Sequence, residues 1–499
     1  MQGDEIMKKL LTIFLVVVTV CPAVLHSQGT PTTAWGKQFG FSVESIRVAA
    51  DKDDNCFVAG TTGDSLSSFY AGSKDAFVRK IDSTGKILWT INIGTNKDDY
   101  CYSVTTDADG NCYVAGKTSG NLDSQNLGGS DAFLVKIDAS GKILWKRQFG
   151  TDKDDELLVV MIDDAGYCYT AGSTLGSLEG NNAGNYDAML LKFDADGNIL
   201  WQKQYGTSAE EKGEFIAFDK DKTCYVLLSS KDILFYDQQG NYTGKNRHTL
   251  YNARGIVIDD SLNIYIGGYN GVNYGSKAIL VKYDKNWTNK WQRTFGSGSW
   301  TGIKSMMKFR DGTDDILVGA CQSWPNCIAV CRRYDLEGNS KWVYSLQEKN
   351  GKSTCGDFIA IDGSGNCFIT GLTDGDLFDT HKKPQEVFLS RITVSNSVDV
   401  KETGSLPSKF ELNQNYPNPF NPSTKISYSM PVDSQVRITV YDIDGKSVKM
   451  LLDRYQAPGN YSVSWNGKNE KGEAVSSGIY FYKLETKNVN LSRKMALIR

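Results

Sequence analysis

Short apolar runs alternate with clusters of Gly, Asp, Asn and Ser along most of the chain, and the alternation has a fixed period. Lys86-Ile-Leu-Trp89, Lys142-Ile-Leu-Trp145 and Asn198-Ile-Leu-Trp201 stand 56 residues apart, and Cys56, Cys112, Cys168 and Cys224 keep the same step. A constant interval of this size marks a unit that buries its apolar faces against copies of itself. The second unit shows the parts. Tyr102 to Thr106 reads as a strand, Asp107-Ala-Asp-Gly-Asn111 as a turn, and Cys112-Tyr-Val-Ala-Gly116 as the returning strand. A Gly/Ser/Asn-rich loop leads to Asp131-Ala-Phe-Leu-Val-Lys-Ile-Asp138, and the turn ending at Gly141 feeds a last strand, Lys142 to Gly150. Gly supplies positive φ at such turns, and Asp caps its own backbone. The runs are largely apolar on both faces, which predicts sheets covered on both sides.

The third strand of the unit can be counted. Asp75–Asp82, Asp131–Asp138, Asp187–Asp194, Asp232–Asp237, Lys277–Asp284, Cys327–Asp335 and Glu386–Thr393 make seven. Six end in Asp and lead through a turn to a fourth strand; the last has Thr393, and no Trp-bearing strand follows it. The missing strand stands at the other end of the chain. Trp35-Gly-Lys-Gln-Phe-Gly40 matches Trp145-Lys-Arg-Gln-Phe-Gly150 but has no third strand before it. Residues 35–40 are therefore predicted to complete the last sheet, which shuts a ring and removes two exposed edges. The fourth unit differs, because Leu227-Leu-Ser-Ser-Lys-Asp232 lacks the long loop and predicts a notch in one face. The predicted fold is all-β: a seven-bladed β-propeller over 34–395 closed by an N-terminal strand, followed by an Ig-like β-sandwich. The phrase Asp131 to Asp138, followed by Gly141-Lys-Ile-Leu-Trp145, resembles the seven-bladed propeller repeats of secreted bacterial proteins over about 35–395. That resemblance implies a fold and leaves activity unspecified.

Beyond Ser395 the repeat stops, and polar residues with Gly404 and Pro407 predict a linker over 396–409. The module that follows, 410–499, opens with Tyr416-Pro-Asn-Pro-Phe420-Asn-Pro-Ser, where the prolines exclude helix and predict an extended segment pinned by its aromatics. Lys425–Met430, Gln435–Asp442, Gly459–Trp465, Gly478–Leu484 and Leu491–Leu497 read as strands of a β-sandwich. This stretch resembles the type A C-terminal sorting domain of the type IX secretion system, which is related to the Ig-like module of the flagellar hook-capping protein. The matching pieces are Tyr416, Pro417, Asn418, Pro419, Phe420, Asn421 and Pro422, then Val440-Tyr-Asp, Trp465-Asn-Gly467, Ser477-Gly-Ile-Tyr480 and Lys494-Met495. The resemblance implies the type IX machinery as a partner and a destination outside the cell or on the outer membrane of a Gram-negative bacterium.

The other end of the chain agrees with export. Lys8 and Lys9 precede an apolar run from Leu10 to Val20, too short to span a bilayer and suited to a signal peptide over 1–27. No other segment reads as a membrane span. A net charge of -3, from 55 basic and 58 acidic residues, gives no electrostatic case for nucleic acid. Export permits disulfides. The cysteines in repeat register read as small packing residues, whereas Cys321 and Cys327 flank a loop and are the candidate disulfide.

Catalytic templates find little to use. Among the three histidines, His26 belongs to the leader, and His248 and His381 read as surface residues. No metal-ligand spacing, phosphate-cradling loop or cofactor motif is present, so no catalytic residue, metal or cofactor is assigned. One constellation stands out. Asp98-Asp99, Asp154-Asp155 and Glu210-Glu211 recur at the 56-residue step in loops that gather on one face. Six carboxylates there would suit calcium or a cationic ligand, or acid/base work, against the plainer alternative of solvated charges partnered by Lys97, Lys153 and Lys212. Two function classes follow: a secreted binding or adhesion protein for an extracellular glycan or protein, or a propeller enzyme (hydrolase or lyase) acting on an extracellular polymer.

Overall fold

The computed structural model describes residues 30–395 and 409–498, apart from 42, 65, 67–71, 272–275, 297–300, 323–326, 349–351, 380–384, 433, 457–458 and 488. The predicted leader, most of the predicted linker and His381 lie outside the described residues.

Residues 30–395 form seven antiparallel four-stranded sheets, and no helix occurs among the described residues. Sheets 1 to 6 take consecutive strands and span 45–93, 99–149, 155–205, 213–247, 252–295 and 302–346. Sheet 7 joins the two ends: Thr354–Ile361, Cys367–Thr373 and Glu386–Ser395 are followed by Thr30–Phe39 as the fourth strand. First strands touch one another in an unbroken cycle, from Ser45–Ala50 through Asp99–Thr106 and onward to Thr354–Ile361, which returns to Ser45–Ala50. They therefore form the inner wall of a β-propeller. The closing strand pairs Trp35 with Arg391 and Phe39 with Val387, and it starts earlier than the sequence reading, at Thr30 opposite Ser395. The reason is local. Thr393 replaces the Asp that begins a turn in the other sheets, so the third strand continues and its partner extends with it.

The recurring Trp and turn Gly lock one sheet to the next. Trp89, Trp145 and Trp201 each donate from Nε1 to a turn carbonyl of the following sheet, at Ala139, Ala195 and Gln238, over 3.2, 3.0 and 3.2 Å. Each ring lies on the turn glycine. A Cβ at Gly197, where φ is +78°, would stand 3.0 Å from the Trp145 ring. Trp35 repeats the bond to Ser83 in sheet 1 at 2.8 Å, so the N-terminal strand makes the lock that closes the ring. Between sheets, the core is continuous. Phe57 and Val78 of sheet 1 pack with Val104 and Phe133 of sheet 2, and Tyr169 and Leu190 of sheet 3 with Ile216, Val226 and Leu234 of sheet 4. Each such buried side chain contributes about 1.5–3 kcal/mol. Cys56, Cys112, Cys168, Cys224 and Cys367 are fully buried thiols in these layers.

The C-terminal module has an Ig-like arrangement of two sheets, three strands against four. Its core takes Leu412, Phe420, Ile426, Tyr428, Val436, Ile438, Trp465, Tyr482 and Leu497. The five predicted strands are present, and two more join them, Glu411–Leu412 and Ser447–Gln456. The aromatic pinning is corrected in one respect. Phe420 is buried against Trp465 at 5.6 Å between ring centres, whereas Tyr416 is 82% exposed. The backbone explains it: Phe420 exchanges hydrogen bonds with Ala496 and Ile498, both at 3.0 Å, which turns its side chain inward.

Two further expectations are corrected. Cys321 is bonded to Cys355, not to Cys327. Within sheet 6, Cys321 stands opposite Ala329, while Cys355 on the first strand of sheet 7 comes within 5.1 Å Cα to Cα. His248 is buried rather than on the surface, at 4% exposure, and neither ring nitrogen has a hydrogen-bond partner among the described residues. It follows the short strand Tyr242–Arg247 directly, and its N–H donates to Lys231 O at 3.2 Å, which draws it under the tight hairpin of sheet 4.

Candidate functional site

Antiparallel order sends the loops between sheets, and those joining second to third strands, to the same face of the ring. The three acidic pairs lie there, on neighbouring sheets, with divided roles. Asp99, Asp155 and Glu211 are buried. Each accepts the backbone N–H of a Thr four residues earlier, Thr95, Thr151 and Thr207, at 2.6, 2.6 and 2.8 Å, and so closes its own loop. Burial pushes the Asp99 and Asp155 carboxyls up, against the hydroxyls of Thr118 and Thr174, which favour the charged form. The outer members are also engaged. Asp98 accepts from Ser73, Asp154 takes Ser130 N–H at 2.8 Å, and Glu210 pairs with Lys212 at 3.4 Å. Among the described residues, no three of these six carboxylates come close enough to share one ion. On the C-terminal module, Tyr416, Pro417, Asn418, Pro419, Asn421 and Pro422 are exposed around the buried Phe420.

A second set of residues, unassigned from the sequence, lines the axis. Six of the seven first strands break register at one equivalent point, skipping Tyr102, Leu158 and Glu214 in sheets 2 to 4 and Arg254, Lys304 and Asp357 in sheets 5 to 7. A β-bulge leaves one residue unpaired and re-aims its side chain. All six are half-buried, as is Arg47 on the regular first strand of sheet 1. They lie on the first strands that form the inner wall, and so surround the axis of the ring. Arg47 feels the charges of Asp357 and of Arg254, three sheets away, and Tyr102 adjoins it from sheet 2. Burial lowers the Arg47 pKa and raises those of Glu214 and Asp357, with Arg254 opposing at Glu214 and Lys304 at Asp357. We call this ring of side chains the collar.

Two residues before each bulge lies the mouth of the channel, at Tyr100, Glu156, Lys212 and Cys355 in sheets 2, 3, 4 and 7. Lys117 and Lys212 reach Glu156 from either side at 3.4 and 3.1 Å, and Ser173 donates to it at 3.1 Å. Lys74 links Glu44 at 2.8 Å to the Tyr100 hydroxyl at 3.0 Å, and the Tyr100 and Tyr102 rings stack at 6.0 Å. Register shows what the disulfide replaces. Lys117 stands opposite Tyr100 in sheet 2 as Cys321 stands opposite Gly302 in sheet 6. The Cys321–Cys355 bond thus occupies the place that the Lys117–Glu156 ion pair holds between sheets 2 and 3. The Cys327 sulfur lies within 4.8 Å of both bonded sulfurs, and burial raises its pKa. Further out on the same face, a groove of about 530 Å³ runs between Phe149–Lys153 and Leu175–Leu178.

The collar had one signal in the sequence. Tyr102, Leu158 and Glu214 stand at the 56-residue step. They share no chemistry, so the repeat concealed them, whereas the acidic pairs announced themselves by repeating a letter that serves the loop.

Two family models agree with these two folds. A β-propeller repeat model matches residues 88–123, and a FlgD Ig-like domain model matches 420–489. The regulatory protein FlaEY of Caulobacter vibrioides is 26% identical over 180 residues, which is 32% of this chain and 18% of that protein. The chain thus spans under a fifth of that relative's length. Among solved structures, the Pan2 WD40 domain of Neurospora crassa covers 73% of this chain and 96% of its own at 11% identity, with a TM-score of 0.47. The WD40 propeller domain of Doa1 covers 74% and 98% at 11% identity, with a TM-score of 0.46. The chain is an all-β protein that joins a β-propeller to a FlgD-like Ig domain.

Proposed function

We propose that this chain is an exported binding protein whose propeller engages an extracellular glycan or protein through the channel mouth. The observation that carries this reading is the collar with its mouth: charged and aromatic side chains of several sheets converge on one axis, beside loops that vary from sheet to sheet. Such a face offers ligand contacts on a rigid scaffold. Export is assigned to the leader and to the C-terminal module, acting through the type IX machinery as a sorting domain, with the exposed Tyr416–Pro419 segment available for recognition. Two experiments test the reading. The chain from residue 28 onward is applied to glycan and protein arrays, with specific hits expected; an empty array on both sides rejects the binding role. Residues 396–499 fused to a periplasmic reporter are expected to carry it outside cells with an active type IX system. Retention of the reporter rejects the sorting role.

A further inference from the structure

The collar carries five charged groups in a fixed order around the axis. Arg47, Arg254 and Lys304 are cationic, Glu214 and Asp357 anionic, so one positive charge is in excess. No direct ion pair joins these five among the described residues, although neighbours act on one another's charge. Charges held half-buried without a direct counter-ion are costly to keep out of water. Bulges fix the backbone behind Glu214, Arg254, Lys304 and Asp357, and Arg47, on a regular strand, lies with its guanidinium 4.0 Å over the Phe358 ring of sheet 7. On the remaining arc, Tyr102 and Leu158 present an aromatic ring and an apolar side chain.

We propose that the collar binds an acidic sugar of the uronic-acid class. This deepens the binding reading and rests on it. The carboxylate of such a sugar matches the excess charge, and a guanidinium pairs with a carboxylate through two parallel hydrogen bonds. Glu214 and Asp357 accept hydroxyl hydrogens, which a simple carboxylate lacks. The Tyr102 ring receives the C–H face of the sugar. Inorganic phosphate fits less well, since its second charge exceeds the excess and meets Glu214 and Asp357 in a desolvated channel.

The test is ligand-observed NMR and calorimetric titration of the exported chain with D-glucuronate, D-glucose and inorganic phosphate. Glucuronate is expected to bind at least about tenfold more tightly than either of the others. Arg254→Gln and Lys304→Gln should each weaken glucuronate about fivefold or more, while Glu214→Gln, which keeps an acceptor oxygen for a sugar hydroxyl and removes a like charge, should tighten it. Raising ionic strength should weaken wild-type binding, a readout that needs no variant. Equal binding of glucuronate and glucose, tighter binding of phosphate, or indifference to the Arg254→Gln/Lys304→Gln pair overturns the proposal. An array ligand whose binding survives that pair leaves the binding reading standing and rejects the collar as its site.

Discussion

The seam between sheets 2 and 3 and the seam between sheets 6 and 7 solve one problem with different chemistry. Both join a second strand to the next sheet's first strand at the channel mouth. The former uses Lys117 and Glu156, with Lys212 as a second partner, and the latter a covalent bond between Cys321 and Cys355. The difference follows from position in the ring. Sheets 2 and 3 are continuous chain, whereas sheet 7 is assembled from both ends of the propeller. Both seams lie between sheets that follow one another in the chain, so what sets sheet 7 apart is its fourth strand rather than its link to sheet 6. A sheet whose fourth strand arrives from residues 30–39 has more to lose by fraying.

The largest break in that contrast is removal of Thr30–Phe39. Sheet 7 would lose its fourth strand, the Trp35 lock on Ser83, and the Gln38 clamp on Glu386 at 2.7 Å. The Glu386–Ser395 edge would then be open to other chains. We expect loss of the cooperative melt, a change on the order of 10 kcal/mol, comparable with the stability of a whole domain. Circular dichroism melting with size-exclusion chromatography checks it, and an unaltered melt would show that the ring does not depend on closure.

Next in size is the covalent seam. Cys321 and Cys355 close a loop with a sequence separation of 34, for which chain entropy assigns about 3–4 kcal/mol. Cys355→Ala should lower the melting midpoint correspondingly under oxidising conditions and lose that effect under reductant. The nearby Cys327 adds a control, since peptide mapping of Cys355→Ala should find Cys321 joined to Cys327 in part of the sample. Absence of any stability difference would make the two seams equivalent after all.

What the sequence disclosed follows the same division. The recurring Trp and turn Gly, the seven third strands and the orphan strand at Trp35 were legible because each repeats a residue type, whereas the packing of each Trp on the next sheet's turn came only with the structure. The disulfide partner was not, because Cys355 sits in a weakly repeating first strand and its nearness to Cys321 depends on the register of two sheets. The same holds for the collar, where bulges select the axial residue without constraining its identity. His248 escaped for another cause: its short strand looked exposed, and only the tight hairpin at Lys231 covers it.

His248 provides a pH-dependent probe of a third seam, beside sheet 4. Burial, with Lys231 and Arg247 nearby, lowers its pKa to about 4. A lowered folded pKa means that the unfolded chain binds the extra proton between about pH 4 and 6.5, so stability rises with pH across that window. The contribution is absent above the window and amounts to about 2–3 kcal/mol of destabilisation at its acid end. His248→Leu should flatten this part of the melting profile without lowering stability at pH values above the window. An unchanged slope would place the proton elsewhere.

The smallest effect belongs to the ion-pair seam and decides how far the comparison reaches. Lys117→Met keeps most of the aliphatic stem and removes the charge, while Lys212 remains on Glu156 at 3.1 Å. Partly exposed pairs contribute about 1 kcal/mol or less, and that loss should shrink further in salt. A double-mutant cycle with Glu156→Gln isolates the coupling, provided that Lys212 is present in every corner of the cycle. A coupling near that of the disulfide would mean that the two seams are energetically alike, and that closure places no special demand on sheet 7. A coupling of a few tenths assigns the Lys117–Glu156 contact to shaping the mouth of the channel rather than to holding the ring.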